Sequence, residues 1–343
     1  MFNTELLQFE RKQMLDNIPV DSCEDSCWKP EKNELTSRRM HTKSYVKTHF
    51  DVETACTTVL NLNLGSTCNL TCSYCCKQYS SAWRRDIIEN GSYLNSDRFN
   101  LTVQDKIIGK ISQKEIANTD SFNLILEETL KFDQLKQLFI SGGEPFLYNQ
   151  LPTLLNKFNQ VSQITVYTGL GVDTKRFHNQ LSKIQHIENL TIVISGENCG
   201  KFYEFNRYNN SWSNFTNNIK ILKEKKFKVH FNMVLSNLTV FGLEDFCNNF
   251  NEKKYHNWCN DPSFLSVNVL DDESKEQLIK QLSKNNFEFR DELIANLINP
   301  CTEQQRNDFS IYLSEFAKRR KLDLNIFPAS MLKWLNLQGN HVV

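Results

Sequence analysis

Six apolar, β-branched runs alternate with stretches at helical spacing, and this alternation limits the fold more than any other feature of the chain. The runs are TTVLNLNL (57–64), QLFISG (137–142), ITVYTG (164–169), LTIVIS (190–195), KVHFNMVLS (228–236) and FLSVNVL (264–270). Helical patterns lie between them at 148–161, 173–184, 212–226 and 243–251; in the third, Phe215, Ile219 and Leu222 make one apolar face. Parallel strands need long crossovers, so strand alternating with helix predicts a parallel α/β sheet. Six such units would form a partial (β/α)6 TIM-like barrel, with its reactive face at the C-terminal ends of the strands, where the βα loops gather.

The flanks read differently. Composition shifts near residue 55, which predicts a polar N-terminal segment over 1–54, a core over 55–271 and a helical C-terminal extension over 272–343. The stretch 77–136 is longer than one crossover helix needs. SSAWRRDIIENGSYLNSDRFNLT reads there as an inserted polar excursion, followed by helical patterns near 104–117 and 122–132. No repeat of fixed period and no low-complexity tract is present.

Charge and targeting signals narrow the function classes. The 40 basic and 40 acidic side chains cancel, so no basic excess points to nucleic acid. The N-terminal MFNTELLQFERKQML carries acids and lacks a long apolar core, and no stretch approaches the roughly 20 apolar residues of a membrane span. The expected location is the cytoplasm, where thiols stay reduced. Eleven cysteines, an odd number and unevenly spread, read in that setting as metal ligands rather than disulfide staples.

Four of them crowd into STCNLTCSYCCKQYS (66–80), at a strand end. Cys68, Cys72 and Cys75 form C-x3-C-x2-C, and Cys76, adjacent to Cys75, reads as a bystander. A disulfide between such close neighbours is strained. A structural zinc site usually draws four ligands from two separated pairs, whereas three thiolates in one loop suit three irons of a [4Fe–4S] cube and leave the fourth iron open. One strand later, LFISGGEPFL (138–147) places Gly142, Gly143, Glu144 and Pro145 at the strand end. Two glycines admit close backbone approach to a ligand, and Pro145 suits a helix start. Taken alone, the same residues also suit a plain β-to-α turn.

The combination of C-x3-C-x2-C after the first strand and GGEP after the second resembles the radical S-adenosylmethionine superfamily. The resemblance spans roughly 55–270 in strand order and is strongest over 60–80 and 138–147. It implies a [4Fe–4S] cluster on Cys68, Cys72 and Cys75, with S-adenosylmethionine chelating the open iron. The SGGEP segment would hydrogen-bond the methionine amino group through backbone and the Glu144 region. The reduced cluster would cleave the C5′–S bond, and the 5′-deoxyadenosyl radical would abstract a substrate hydrogen. No catalytic residue beyond the cofactors is assigned.

Further contacts follow from the same resemblance. Tyr74 stands where the family keeps an aromatic near the adenine, with simple loop packing as the alternative. Thr168 and Gly169, and Ser195 and Glu197, would reach ribose or carboxylate from the strand ends. Arg207 could pair with the methionine carboxylate, since Arg suits bidentate recognition; a surface ion pair is the alternative. Asn232 and Ser236 are lesser candidates.

The segments CEDSCWKPEKNELTSRRMH and NWCNDPSFLSV look like those of radical S-adenosylmethionine proteins with a twitch domain. That likeness implies an auxiliary iron–sulfur cluster drawing on Cys23, Cys27, Cys259 and Cys301, with zinc at the same thiolates as the alternative. Cys56, Cys199 and Cys247 read as buried packing thiols. Relatives with auxiliary clusters often modify ribosomally made peptides or proteins, so the first expected substrate is a peptide or protein. A small molecule such as a sugar or nucleotide is the second. A non-catalytic zinc or iron–sulfur protein is the third reading. The electron would come from a reductant such as flavodoxin or ferredoxin.

Overall fold

The computed structural model describes residues 4–33, 37, 40, 57–93, 95–100, 127, 132, 134–186, 188–284 and 287–337. The helical patterns expected near 104–117 and 122–132 lie outside the described residues, apart from isolated positions, as does Cys56. The chain divides into two compact units: Met1–Thr58 with Phe132–Leu135, and Val59–Lys131 with Lys136–Val343. The first holds a helix, Glu5–Leu15, capped by the Thr4 hydroxyl. Short turns follow at Asp21–Cys23 and Glu24–Trp28, then a brief helix, Lys29–Lys32.

Among the described residues the second unit holds eight strands: β1 (Val59–Asn63), β2 (Thr71–Cys72), β3 (Gln137–Ser141), β4 (Gln163–Thr168), β5 (Leu190–Ser195), β6 (Arg207–Tyr208), β7 (Lys228–Leu235) and β8 (Lys254–Trp258). Six of them form a parallel sheet in the order β1-β3-β4-β5-β7-β8, and β2 and β6 form a separate antiparallel pair. Each crossover moves one place further in the same direction. That is the succession of a (β/α) barrel rather than of a doubly wound sheet, whose order reverses in the middle. Among the described residues the sheet stays open, with β1 and β8 at its edges.

Period-2 alternation gives the sheet two unlike faces. Ile140, Val166, Ile192, Ile194, Phe231 and Met233 are fully buried on one face. Helices such as Trp212–Glu224 cover it, presenting Phe215, Ile219 and Leu222 at helical spacing. Each such side chain contributes roughly 1.5–3 kcal/mol by leaving water. The opposite face is mixed: Thr165, Thr191 and Val193 are buried at its centre, Ser195, His230 and Asn232 are half-buried, and Tyr255 and Asn257 are exposed on the edge strand. Register places Ser195, Asn232 and Tyr255 in one row across it.

Two expectations need correction. The sixth strand is Lys254–Trp258, not 264–270. Phe264, Leu265, Val267, Val269 and Leu270 are buried, but in a 3-10 turn and bends, where the Asn237 amide serves the carbonyls of Phe264 and Val269 at 2.9 and 3.2 Å. Apolar alternation marked burial there, while the true strand is a polar edge and gives little hydropathy signal. The supposed polar excursion begins with a packed helix, Ser81–Asn90, whose Trp83 and Ile87 are fully buried. Trp83, Tyr93 and Phe99 form an aromatic cluster at centroid distances of 5.1–5.7 Å.

The C-terminal extension is helical over Asp272–Leu282, Arg290–Leu297, Glu303–Arg320 and Ala329–Trp334. A capping box between Thr302 and Gln305 starts the third of these.

Candidate active site

The cysteine loop follows β1 directly and is fixed by its neighbours. The Cys68 N–H donates to the Ser81 hydroxyl at 3.1 Å, and that hydroxyl donates back to the Cys68 carbonyl at 3.0 Å. The Trp83 indole N–H donates to the Cys72 carbonyl at 2.9 Å, and the Ser80 hydroxyl to the Leu70 carbonyl at 2.7 Å. A tight turn carries the Cys75 N–H to the Cys72 carbonyl at 3.0 Å. The far C-terminal helix also reaches the loop. The Tyr312 hydroxyl donates to the Ser73 carbonyl, and Arg320 Nε donates to the Thr71 hydroxyl at 2.9 Å.

All ten described cysteines are free thiols. Burial pushes the Cys68 thiol up to about 12, with the charges of Cys72 and Glu144 adding to it. Burial also raises Cys75 well above its ordinary value, with Cys72, Cys76 and Cys68 acting in the same sense. Cys72 is raised by burial while Arg207 pulls the other way. Cys72 is buried and Cys68 and Cys75 are half-buried; a cation among them favours their thiolates, so their chemistry suits a metal group. Among the described residues, no three His, Cys, Asp or Glu side chains are gathered to hold a single metal ion. A multi-iron group takes its ligands on different irons, so three thiols of one loop suit it without meeting at a single ion.

The GGEP turn packs against this loop. Gly142 and Gly143 have φ of +97° and +47°. A Cβ on Gly143 would stand 2.2 Å from the Thr67 carbonyl oxygen, and one on Gly142 would stand 2.1 Å from Asn63 Oδ1. Both glycines are thus required by left-handed backbone and by the approach of loop 63–67. The Glu144 N–H completes the contact, donating to the Thr67 carbonyl at 2.9 Å.

The Glu144 carboxylate is turned inward. It accepts from the Thr168 hydroxyl at 2.6 Å and from the N–H groups of Gly169 (3.0 Å), Phe146 (3.2 Å) and Gly171 (3.3 Å). Burial raises its pKa and these donors oppose the rise. Glu144 and Thr168 are thereby engaged with each other, and the motif presents the Gly142–Gly143 backbone toward the cysteine loop. Pro145 opens the short 3-10 turn Pro145–Leu147.

Arg207 lies in β6 and is 2 % exposed. Its Nε and Nη2 grip Glu197, itself fully buried, at 3.2 and 2.8 Å. Nη2 also donates to the Tyr74 hydroxyl, which donates to Glu197 at 2.8 Å. Burial alone would lower the Arg207 pKa; Glu197, Tyr74 and Cys72 reverse this and keep it protonated. The ion pair expected on the surface is therefore an internal one, and Tyr74 belongs to it. Ser195 and Asn232 pair in register on the open face, where Asn232 accepts from Asn257 at 2.8 Å. Ser236 lies apart from them, buried in a turn with Thr239.

The remaining cysteines sit in varied settings. In the first unit, burial raises the Cys23 thiol, and neighbouring Cys27 adds to the rise. In the second, Cys259 is buried, raised to about 12 by burial with Arg98 opposing, and Cys301 is half-buried. Cys247, within the helix Leu243–Asn249, and its neighbour Cys199 are half-buried, each raised to about 11, first by burial. Sequence reasoning missed Trp83, Tyr312 and Arg320, whose contacts lie too far along the chain to show as a motif. Trp83 alone left a trace, a tryptophan within a nominally polar stretch.

Among curated proteins none matches the chain. Three-dimensional similarity extends to solved structures titled native anSMEcpe with bound AdoMet (15 % identity, 69 % of this chain and 62 % of that one, TM-score 0.41). It extends also to Streptococcus suis SuiB bound to the precursor peptide SuiA (16 %, 82 % and 58 %, TM-score 0.38). The chain spans less than two thirds of the length of either structure. The family model of the Radical SAM superfamily matches residues 62–248, more than half of the sequence. It runs from the last residues of β1 through the cysteine loop, the GGEP turn and the Arg207 network to the helix after β7. The chain belongs to the radical SAM superfamily, whose enzymes work with a [4Fe–4S] cluster and S-adenosylmethionine.

Proposed function

We propose that Cys68, Cys72 and Cys75 hold the [4Fe–4S] cluster and that the open face of the parallel sheet receives the substrate. The observation that carries the reading is the group of three free thiols in the loop after β1, Cys72 buried and Cys68 and Cys75 half-buried, packed against the GGEP turn and beside Arg207. When bound, the cluster supplies one electron to S-adenosylmethionine, whose C5′–S bond breaks to give the radical that takes a substrate hydrogen. The chain's own residues bind and orient. Gly142 and Gly143 offer backbone to the methionine amino group, and Glu144 holds that turn against 169–171. Ser195, on the strand end, lies within the row that would line the adenosyl and substrate space. Trp83 and the cluster of rings behind the loop keep water from its inner side.

The substrate we infer first is a peptide or protein, with a sugar or nucleotide second. A sheet left open at the polar strand β8 accommodates an extended chain more readily than a closed barrel would. The same reading places the enzyme in the cytoplasm, with a flavodoxin or ferredoxin as reductant. It assigns Cys23, Cys27, Cys259 and Cys301 to an auxiliary cluster.

Iron and EPR quantitation of anaerobically reconstituted protein tests the ligand set. Alanine at Cys68, Cys72 or Cys75 should remove the first cluster's signal and leave that of the auxiliary cluster. Cys23→Ala with Cys27→Ala should lower iron content while leaving the first cluster; unchanged iron would strike those two from the set. For the substrate, deuterium moving from a labelled peptide into 5′-deoxyadenosine supports the peptide reading. Transfer only from a labelled sugar or nucleotide would replace it.

A further inference from the structure

Strands β2 and β6 pair over only two residues each, Thr71 with Tyr208 and Cys72 with Arg207. Residues directly opposite in an antiparallel pair project to the same side. This short ladder therefore sets the Arg207 side chain beside the Cys72 thiol. Arg carries five N–H donors in a rigid fork. Nε and Nη2 are directed to Glu197 and Tyr74, and Nη1 lies 3.8 Å from Cys72 Sγ. Residue 169 has no side chain beside that nitrogen; a Cβ there would come 3.4 Å from Nη1. Every face of the guanidinium is thus aimed, and one face is aimed at sulfur.

We infer that Arg207 is a positioning residue for the cluster: it donates to the ligand sulfur of Cys72 and raises the potential at which the cluster accepts its electron. The inference rests on the reading that Cys72 is a ligand. Hydrogen bonds to cluster sulfurs and nearby net charge set the potential of iron–sulfur groups. One electron enters from a low-potential one-electron donor; no bond in the protein forms or breaks, and Arg207 stays protonated throughout. A fixed cation and an N–H at the sulfur favour the state with the extra negative charge. Glu197 offsets part of that cation, so the two residues act in opposite directions.

The opposition makes the test sharp. The full-length reconstituted protein is titrated anaerobically by EPR without S-adenosylmethionine, so that methionine binding plays no part. Arg207→Gln should lower the reduced-to-oxidised ratio at a fixed poise about tenfold, equivalent to about 59 mV for one electron. Glu197→Gln should move it the other way. No shift in either variant, or shifts of the same sign, would overturn the inference. An unmoved potential in Arg207→Gln together with weaker S-adenosylmethionine binding, measured separately, would overturn it too, leaving Arg207 as a carboxylate binder alone. If Arg207→Gln fails to take up a cluster, Glu197→Gln decides: an upward shift supports the inference, and an unmoved potential ends it. Cys72→Ala separates the two levels of the argument. Retention of the first cluster's signal in that variant would refute the ligand assignment; its loss with unmoved potentials in the other two refutes only the role of Arg207.

Discussion

Gly143 shows what a single residue can settle. Its φ is +47°, and a Cβ would meet the Thr67 carbonyl oxygen at 2.2 Å. Gly143→Ala combines left-handed strain with a backbone clash, so the expected cost is about 2–4 kcal/mol. A lowered thermal midpoint and reduced iron uptake would check it. Glu144→Ala leaves the Thr168 hydroxyl and three N–H groups without their acceptor. Unpaired buried donors cost about 1–3 kcal/mol each where no water replaces the oxygen, so denaturant unfolding should register a loss of about 3 kcal/mol or more. These motif residues were legible in sequence as types and spacing. What was hidden is their direction: the glycines serve contact between two loops, and the glutamate faces inward. Arg207 was legible as a candidate, but its partner Glu197 and its approach to Cys72 depend on a two-residue ladder that carries no sequence pattern.

At the level of elements, the helix Glu303–Arg320 braces the cysteine loop. Tyr312 and the Ser73 carbonyl it serves are 239 residues apart. The Arg320 guanidinium lies 4.6 Å from the Trp83 ring and 3.5 Å from the Asp86 carboxylate, joining this helix to Ser81–Asn90. Tyr312→Phe should cost about 1 kcal/mol through one lost hydrogen bond. It should also speed loss of iron to a chelator, since the loop loses a support; identical chelation rates in both proteins would deny the bracing role. Arg320→Ala removes both ion pair and ring contacts, so it should cost about 3 kcal/mol or more by chemical denaturation. The sequence showed the helix but not its purpose, because helical periodicity reports a buried face and not what lies against it. For the same reason 264–270 resembled a strand, while the polar edge strand Lys254–Trp258 escaped notice.

Across the second unit, one sheet face is apolar and covered by helices, and the other grows more polar and more exposed toward β8. No helix among the described residues is long and apolar enough to cross a membrane. The central strands β4, β5 and β7 are paired on both sides and should show the slowest amide exchange, with β8 faster at its free edge. Uniform protection across the six strands would contradict the open sheet. The parallel α/β architecture was readable because alternating strand and helix leave few topologies, and the cysteine loop and GGEP turn fixed where the chemistry gathers. The central claim is that this site, with its cluster on Cys68, Cys72 and Cys75, cleaves S-adenosylmethionine. The most direct measurement is 5′-deoxyadenosine release from anaerobically reconstituted protein with S-adenosylmethionine and a strong reductant, beside Cys72→Ala. Release by the native protein and none by the variant is the predicted result. Equal release from both, or no release by native protein with its cluster in place across the peptide, sugar and nucleotide substrates offered, would contradict the claim.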